Sequence, residues 1–176
     1  MVFTRQSPRK RRSQLQVIKD KQVIEDNWTR FEPGDDDAAL PEGDVIVPLA
    51  YWQARREELL GREGKVAVCI NGDDELSDIE SELDGFELIA IEFPVFRDGR
   101  GYSMARALRQ RHNFQGDIRA VGEVLRDQLY FMQRVGISSY QLKDGKDPQD
   151  ALKGFTEFSV RYQGAVDNGE AIYSHR

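Results

Sequence analysis

The sequence holds one cysteine and two histidines in 176 residues. A disulfide needs two thiols, and an iron–sulfur cluster or a Cys-rich zinc site needs more, so none of these forms within a single chain. His112 and His175 lie far apart, and His175 is next to last. A His-based metal centre or a Ser-His-Asp triad therefore has little to draw on. No apolar run approaches the ~18 residues of a membrane span. Bases are also short: 25 Lys and Arg against 31 Asp and Glu give a net charge of −6.

That charge is uneven. Residues 1–12 carry Arg5, Arg9, Lys10, Arg11 and Arg12 and no acid, which leaves an acidic body. An acidic body is a poor nucleic-acid surface, because phosphate neutralisation needs clustered bases. The arm has a charge suited to nucleic acid or an acidic partner, but its composition reads first as a disordered solubilising tail. Leu15, Val17 and Ile18 start no continuous apolar stretch of the kind a secretory signal needs, so a cytoplasmic chain is expected. Cys69 sits in the apolar run Val66-Ala67-Val68-Cys69-Ile70 and reads as a buried small hydrophobe.

What is present is enough apolar residue, 39%, for one core. The expected organisation is a basic arm over 1–14, one α/β domain over 15–165 and a flexible tail over 166–176. Leu15–Ile18 and Gln22–Glu25 flank Lys19-Asp20-Lys21 as a small β-hairpin. Asp35-Asp36-Asp37 reads as a solvated loop. From residue 44 strands and helices alternate. Strands are expected at 45–47, 66–70, 88–93, 118–121 and 139–142. Helices are expected from Pro48 to Leu60 and over 75–83, 101–112, 123–135 and 148–162. Five short strands separated by helices predict a parallel sheet with right-handed crossovers. An open sheet and a partial βα barrel both satisfy the pattern.

In such folds ligands gather at the carboxyl ends of the strands. Two of these ends stand out. One is Arg97-Asp98-Gly99-Arg100-Gly101-Tyr102-Ser103, where two glycines and a helix start offer backbone N–H groups to an anion. The other is Arg119-Ala120-Val121-Gly122-Glu123, leading to Arg126 and Asp127. Between residues 97 and 134 there are eight arginines, no lysine and four acids. Arginine suits planar oxyanions and fixed ion pairs alike. Arg97, Arg100 and Arg126 are the candidate anchors, with Tyr102 and Ser103 as hydrogen-bond donors. Arg106 shares a helix side with Ser103 and Arg109. The competing reading is internal pairing of Arg100 with Asp127, and of Arg126 with Asp98 or Glu123. A second alternative is a non-catalytic interaction module whose arginine face or N-terminal arm docks on a partner protein, and a third gathers Glu92, Asp98 and Glu123 around Mg²⁺ in a barrel-like enzyme. Met104 occupies the third position of the Gly-x-Gly pattern, so no dinucleotide fingerprint is formed, and no cofactor is expected.

Phe93-Pro94, Asp98-Gly99-Arg100-Gly101-Tyr102-Ser103 with Arg106 and Leu108-Arg109, and Arg119-Ala120-x-Gly122-x-Val124-Leu125-Arg126-Asp127-Gln128 resemble the bacterial family named domain of unknown function 934. The hairpin ending in Asp26-Asn27-Trp28 fits its N-terminal part, and the resemblance spans roughly 15–165. The family label is "probable oxidoreductase involved in sulfite reduction". The resemblance implies an accessory of assimilatory sulfate and sulfite reduction, with sulfite reductase or phosphoadenylylsulfate reductase as partner. It also implies small oxyanions as ligands.

Overall fold

The computed structural model describes residues 15–34, 39–95 and 98–156. The arm over 1–14, the Asp35–Asp37 triplet, Arg97, the second half of the helix expected over 148–162 and the tail all lie outside or partly outside these residues.

Eight strands form one sheet in the order β2-β1-β8-β7-β6-β5-β4-β3. β1 (Gln16–Lys19) and β2 (Gln22–Glu25) are the expected hairpin, turned by Asp20 and Lys21, both at positive φ. Six strands run parallel in chain order: β3 (Trp28–Arg30), β4 (Asp44–Pro48), β5 (Val66–Ile70), β6 (Leu88–Phe93), β7 (Asp117–Gly122) and β8 (Ser139–Tyr140). β1 joins β8 antiparallel. The count of about five strands is thus too low. β3 was hidden because Trp-Thr-Arg offers no apolar run, and the hairpin belongs to the main sheet.

The alternative of an open sheet is resolved by one connection. β2 and β3 are the two edges of the sheet, yet only Asp26 and Asn27 separate them. Eight flat strands would put the edges roughly 34 Å apart. Two intervening residues bridge about 10 Å. The sheet therefore curls into a half-barrel, with its edges drawn together at the amino-terminal end of the parallel strands.

Alternate residues of each strand face two different environments. Val45, Val47, Val68, Ile70, Ile89, Ile91, Ile118 and Ala120 point outward and join the main core with Leu108, Leu129 and Met132 of the helices. Ile46, Ala67, Cys69, Leu88, Ala90 and Val121 form a smaller cluster on the concave face, against Trp28. Both faces are apolar, which explains the continuous rather than alternating runs.

The helices are shorter than their periodicity suggests. Pro48 closes β4, and the segment behind it breaks at Arg55 into α1 (Leu49–Ala54) and α2 (Arg56–Leu60). The helix expected over 75–83 is two 3-10 turns, Leu76–Asp78 and Glu80–Gly85. α3 spans Arg100–Gln110. The helix expected from 123 begins late: a 3-10 turn over Arg126–Gln128 leads into α4 (Leu129–Arg134). Gly122 at φ +92° and the extended Leu125 delay it. α5 covers Pro148–Ala151, with Asp147 accepting the Gln149 N–H at 2.9 Å, and passes into a 3-10 turn over Leu152–Phe155. Among the described residues no helix is long and apolar enough to cross a membrane.

Candidate functional site

The carboxyl ends of the parallel strands form the rim where the sequence placed its candidates. Arg100 opens α3 directly after β6 and its loop. Asp98 holds one edge of its guanidinium: Nε donates to Oδ1 at 3.0 Å and Nη2 to Oδ2 at 2.8 Å. The Arg100 backbone N–H donates to the same Oδ1 at 3.1 Å. The other edge, Nη1, donates to Asp73 in the loop after β5. The two aspartates differ in exposure. The Asp98 side chain is 9% exposed, that of Asp73 82% and that of Arg100 54%. Asp98 first, then Asp73, raises the Arg100 pKa, so the guanidinium stays charged. The Arg100 side chain and its backbone N–H together hold the Asp98 carboxyl below its ordinary range. Gly72 lies flat against this pair, since a Cβ there would sit 2.5 Å from Arg100 Nε.

Neither Gly99 nor Gly101 adopts a positive φ. Gly99 precedes α3 in ordinary right-handed geometry. Gly101 is needed for packing, because a Cβ would meet the Phe93 ring at 2.7 Å. Tyr102 packs edge-on against the same ring, with centroids 5.4 Å apart. Gly122 does meet the expectation of a close backbone approach: a Cβ would lie 2.6 Å from the Phe93 carbonyl oxygen, which accepts the Glu123 N–H at 2.8 Å.

Other candidates are spread over the molecule. Arg119 is on the concave face of β7. Its Nη1 donates to both Asp26 carboxylate oxygens, at 2.9 and 2.8 Å, and the two side chains are 3% and 2% exposed. Ser103 and Arg106 line a groove along the outer side of α3, where Arg106 Nε donates to Gln110 at 2.9 Å. Arg109 leaves that side and donates to the carbonyls of Phe114, Gly116 and Gly136. Arg126 pairs with Asp150 at 3.2 Å, and Glu123 with Lys143 at 2.6 Å. Arg100 thus pairs with its neighbour Asp98 and with Asp73, where Asp127 was the sequence alternative. Burial first, and the Asp127 charge second, raise the Tyr102 phenol pKa. Glu92, Asp98 and Glu123 each face a different base, and among the described residues no group of three or more His, Cys, Asp or Glu is placed to hold a metal ion.

One rim feature escaped the sequence reading. Arg30 at the end of β3 reaches across the trough, and its Nη2 donates to Glu92 of β6. Burial works against the Arg30 charge, but Glu92, Cys69 and Glu32 together outweigh it and the pKa lies above its ordinary value. Cys69 lies beneath this pair, 6% exposed, and burial pushes its thiol up to about 12. The period-two spacing of Trp28 and Arg30 was the available sign, but three residues are too few to weigh.

Fold and rim together define a class: a curled half-barrel of parallel βα units whose charged groups crowd the strand ends. Residues 67–173, more than half of the chain, match the model of a family described as "Bacterial protein of unknown function (DUF934)", and the chain belongs to that family. The match begins inside β5, so the hairpin, β3 and β4 precede it. A comparison with curated proteins finds no match.

Proposed function

We propose that this protein is a small accessory of assimilatory sulfate and sulfite reduction that holds an oxyanion at the strand-end rim. The observation that carries this reading is the divided clasp on Arg100. Asp98, mostly buried, fixes the orientation of the guanidinium through Nε and Nη2. Among the described residues, the Nη1 edge pairs with the well-exposed Asp73. A bound oxyanion takes the place of Asp73 on that edge while Asp98 keeps the fork aimed. A preoriented fork of this kind suits a planar or tetrahedral anion. The family resemblance supports the pathway, and the single cysteine supports an accessory rather than a cluster-bearing reductase. Its partner in this reading is sulfite reductase or phosphoadenylylsulfate reductase.

Calorimetric titration with sulfite, sulfate and adenylyl sulfate tests the proposal. At least one should bind, and Arg100→Ala should weaken it about tenfold or more, as loss of a charged hydrogen bond does. Absence of heat with all three at millimolar ligand contradicts the reading.

A further inference from the structure

The turn after β5 is braced from within. Asn71 Oδ1 accepts the Asp73 N–H at 2.8 Å, Asp74 Oδ2 accepts the Asn71 N–H at 2.8 Å, and the Asn71 carbonyl accepts the Asp74 N–H at 3.1 Å. Gly72 lies inside this turn and is not among the glycines at positive φ, so its backbone conformation is open to other residues. The need for a glycine comes from Arg100. The three atoms nearest to a Cβ built at Gly72 all belong to that side chain: Nε at 2.5 Å, Cζ at 2.8 Å and Cβ at 3.0 Å. Nε is planar, and its in-plane positions are taken by Cδ, Cζ and the hydrogen given to Asp98. Gly72 therefore covers a face of the guanidinium while Asp98 holds an edge.

We propose that Gly72 is a positioning residue of the rim: by lacking a side chain it forms a wall that keeps the Arg100 fork in line with Asp98 and presents Nη1 to a ligand. The inference rests on the oxyanion reading above and adds a specificity to it. The ligand is met at one edge, by hydrogen bonds in the guanidinium plane, and no ring stacks on the covered face. A methyl group added at Gly72 displaces the flexible guanidinium rather than the turn, because the hydrogen bonds of Asn71, Asp73 and Asp74 hold the turn in place.

The Arg100 Nε–H NMR signal of ¹⁵N-arginine-labelled protein, assigned through Arg100→Lys, reads this without a ligand. In mildly acidic buffer it should exchange with water about tenfold faster in Gly72→Ala than in the unsubstituted protein, as loss of a charged hydrogen bond implies. Equal exchange in the two proteins overturns the proposal. Melting in an Arg100→Ala background separates positioning from a need of the turn itself. There Gly72→Ala should leave the midpoint equal or higher, since alanine in place of a glycine outside the left-handed region restricts the unfolded chain. The same loss of midpoint with and without the guanidinium overturns the proposal. Binding of sulfate, sulfite or adenylyl sulfate should weaken about tenfold in Gly72→Ala, as in Arg100→Ala. Binding that Arg100→Ala abolishes and Gly72→Ala leaves intact overturns the positioning role and leaves the oxyanion reading standing. Absence of binding to all three anions overturns that reading, while the ligand-free signal still judges Gly72.

Discussion

Arg119 and Arg100 both meet aspartates on the same curled sheet, and the difference between them separates structure from function. The Arg119–Asp26 pair lies on the concave face with both side chains almost fully buried. It ties β7 to the two-residue link that brings the edges of the sheet together. Both charges have lost their water, so each depends on the other. The Arg100 clasp sits at the rim, half exposed, with one aspartate buried and one open. A pair of that kind contributes little to folding, but it can exchange its exposed partner. The same residue types thus serve as a latch in one region and as a candidate receptor in the other.

The largest effect should come from the latch. Asp26→Ala leaves the Arg119 guanidinium buried and uncompensated, and should cost about 3–5 kcal/mol in urea unfolding. A loss below 1 kcal/mol would mean that water reaches Arg119 and that the two regions are more alike than their burial suggests. Gly122→Ala comes next. The residue sits at φ +92° and a Cβ would crowd the Phe93 carbonyl, so about 1–3 kcal/mol should be lost. Thermal melting reads this, and an unchanged midpoint would show that the β6–β7 strand end is free to shift.

The rim should respond to acid instead. The Asp98 carboxyl lies below its ordinary range in the folded protein. Its contribution is complete above the unfolded value near pH 4 and is lost as pH falls through the lower folded value. Urea unfolding of Asp98→Asn and the unsubstituted protein should therefore converge below about pH 4. Parallel curves across that range would remove Asp98 as the charged partner of Arg100.

The sequence foretold the parts of the fold that are local. The hairpin was legible because two β-type runs flank a tight turn, and β4 to β7 were legible as apolar runs. β3 was not, because so short a strand carries no pattern; β8 was expected over 139–142 and forms only Ser139–Tyr140. The helix over 123–135 was misplaced at its start because amphipathic spacing continues through residues that Gly122 and the Gln128 cap keep extended. The site divides in the same way. Asp98 and Arg100 are two residues apart and both were singled out in the sequence, but their pairing was not, since Asp127 was the partner expected for Arg100 and Arg126 that for Asp98. Arg119 and Asp26 are 93 apart and Arg30 and Glu92 are 62 apart, and only the curl of the sheet brings them together. The hairpin assigned by resemblance to the family lies before the residues that the family model matches.

Two single substitutions with opposite outcomes test the rim most directly. If an oxyanion displaces Asp73 from an Arg100 that Asp98 holds in place, sulfite titration should show tighter binding in Asp73→Asn and weaker binding in Asp98→Asn. Changes of the same sign and size in the two variants, expected if both aspartates merely repel the anion, would contradict the account.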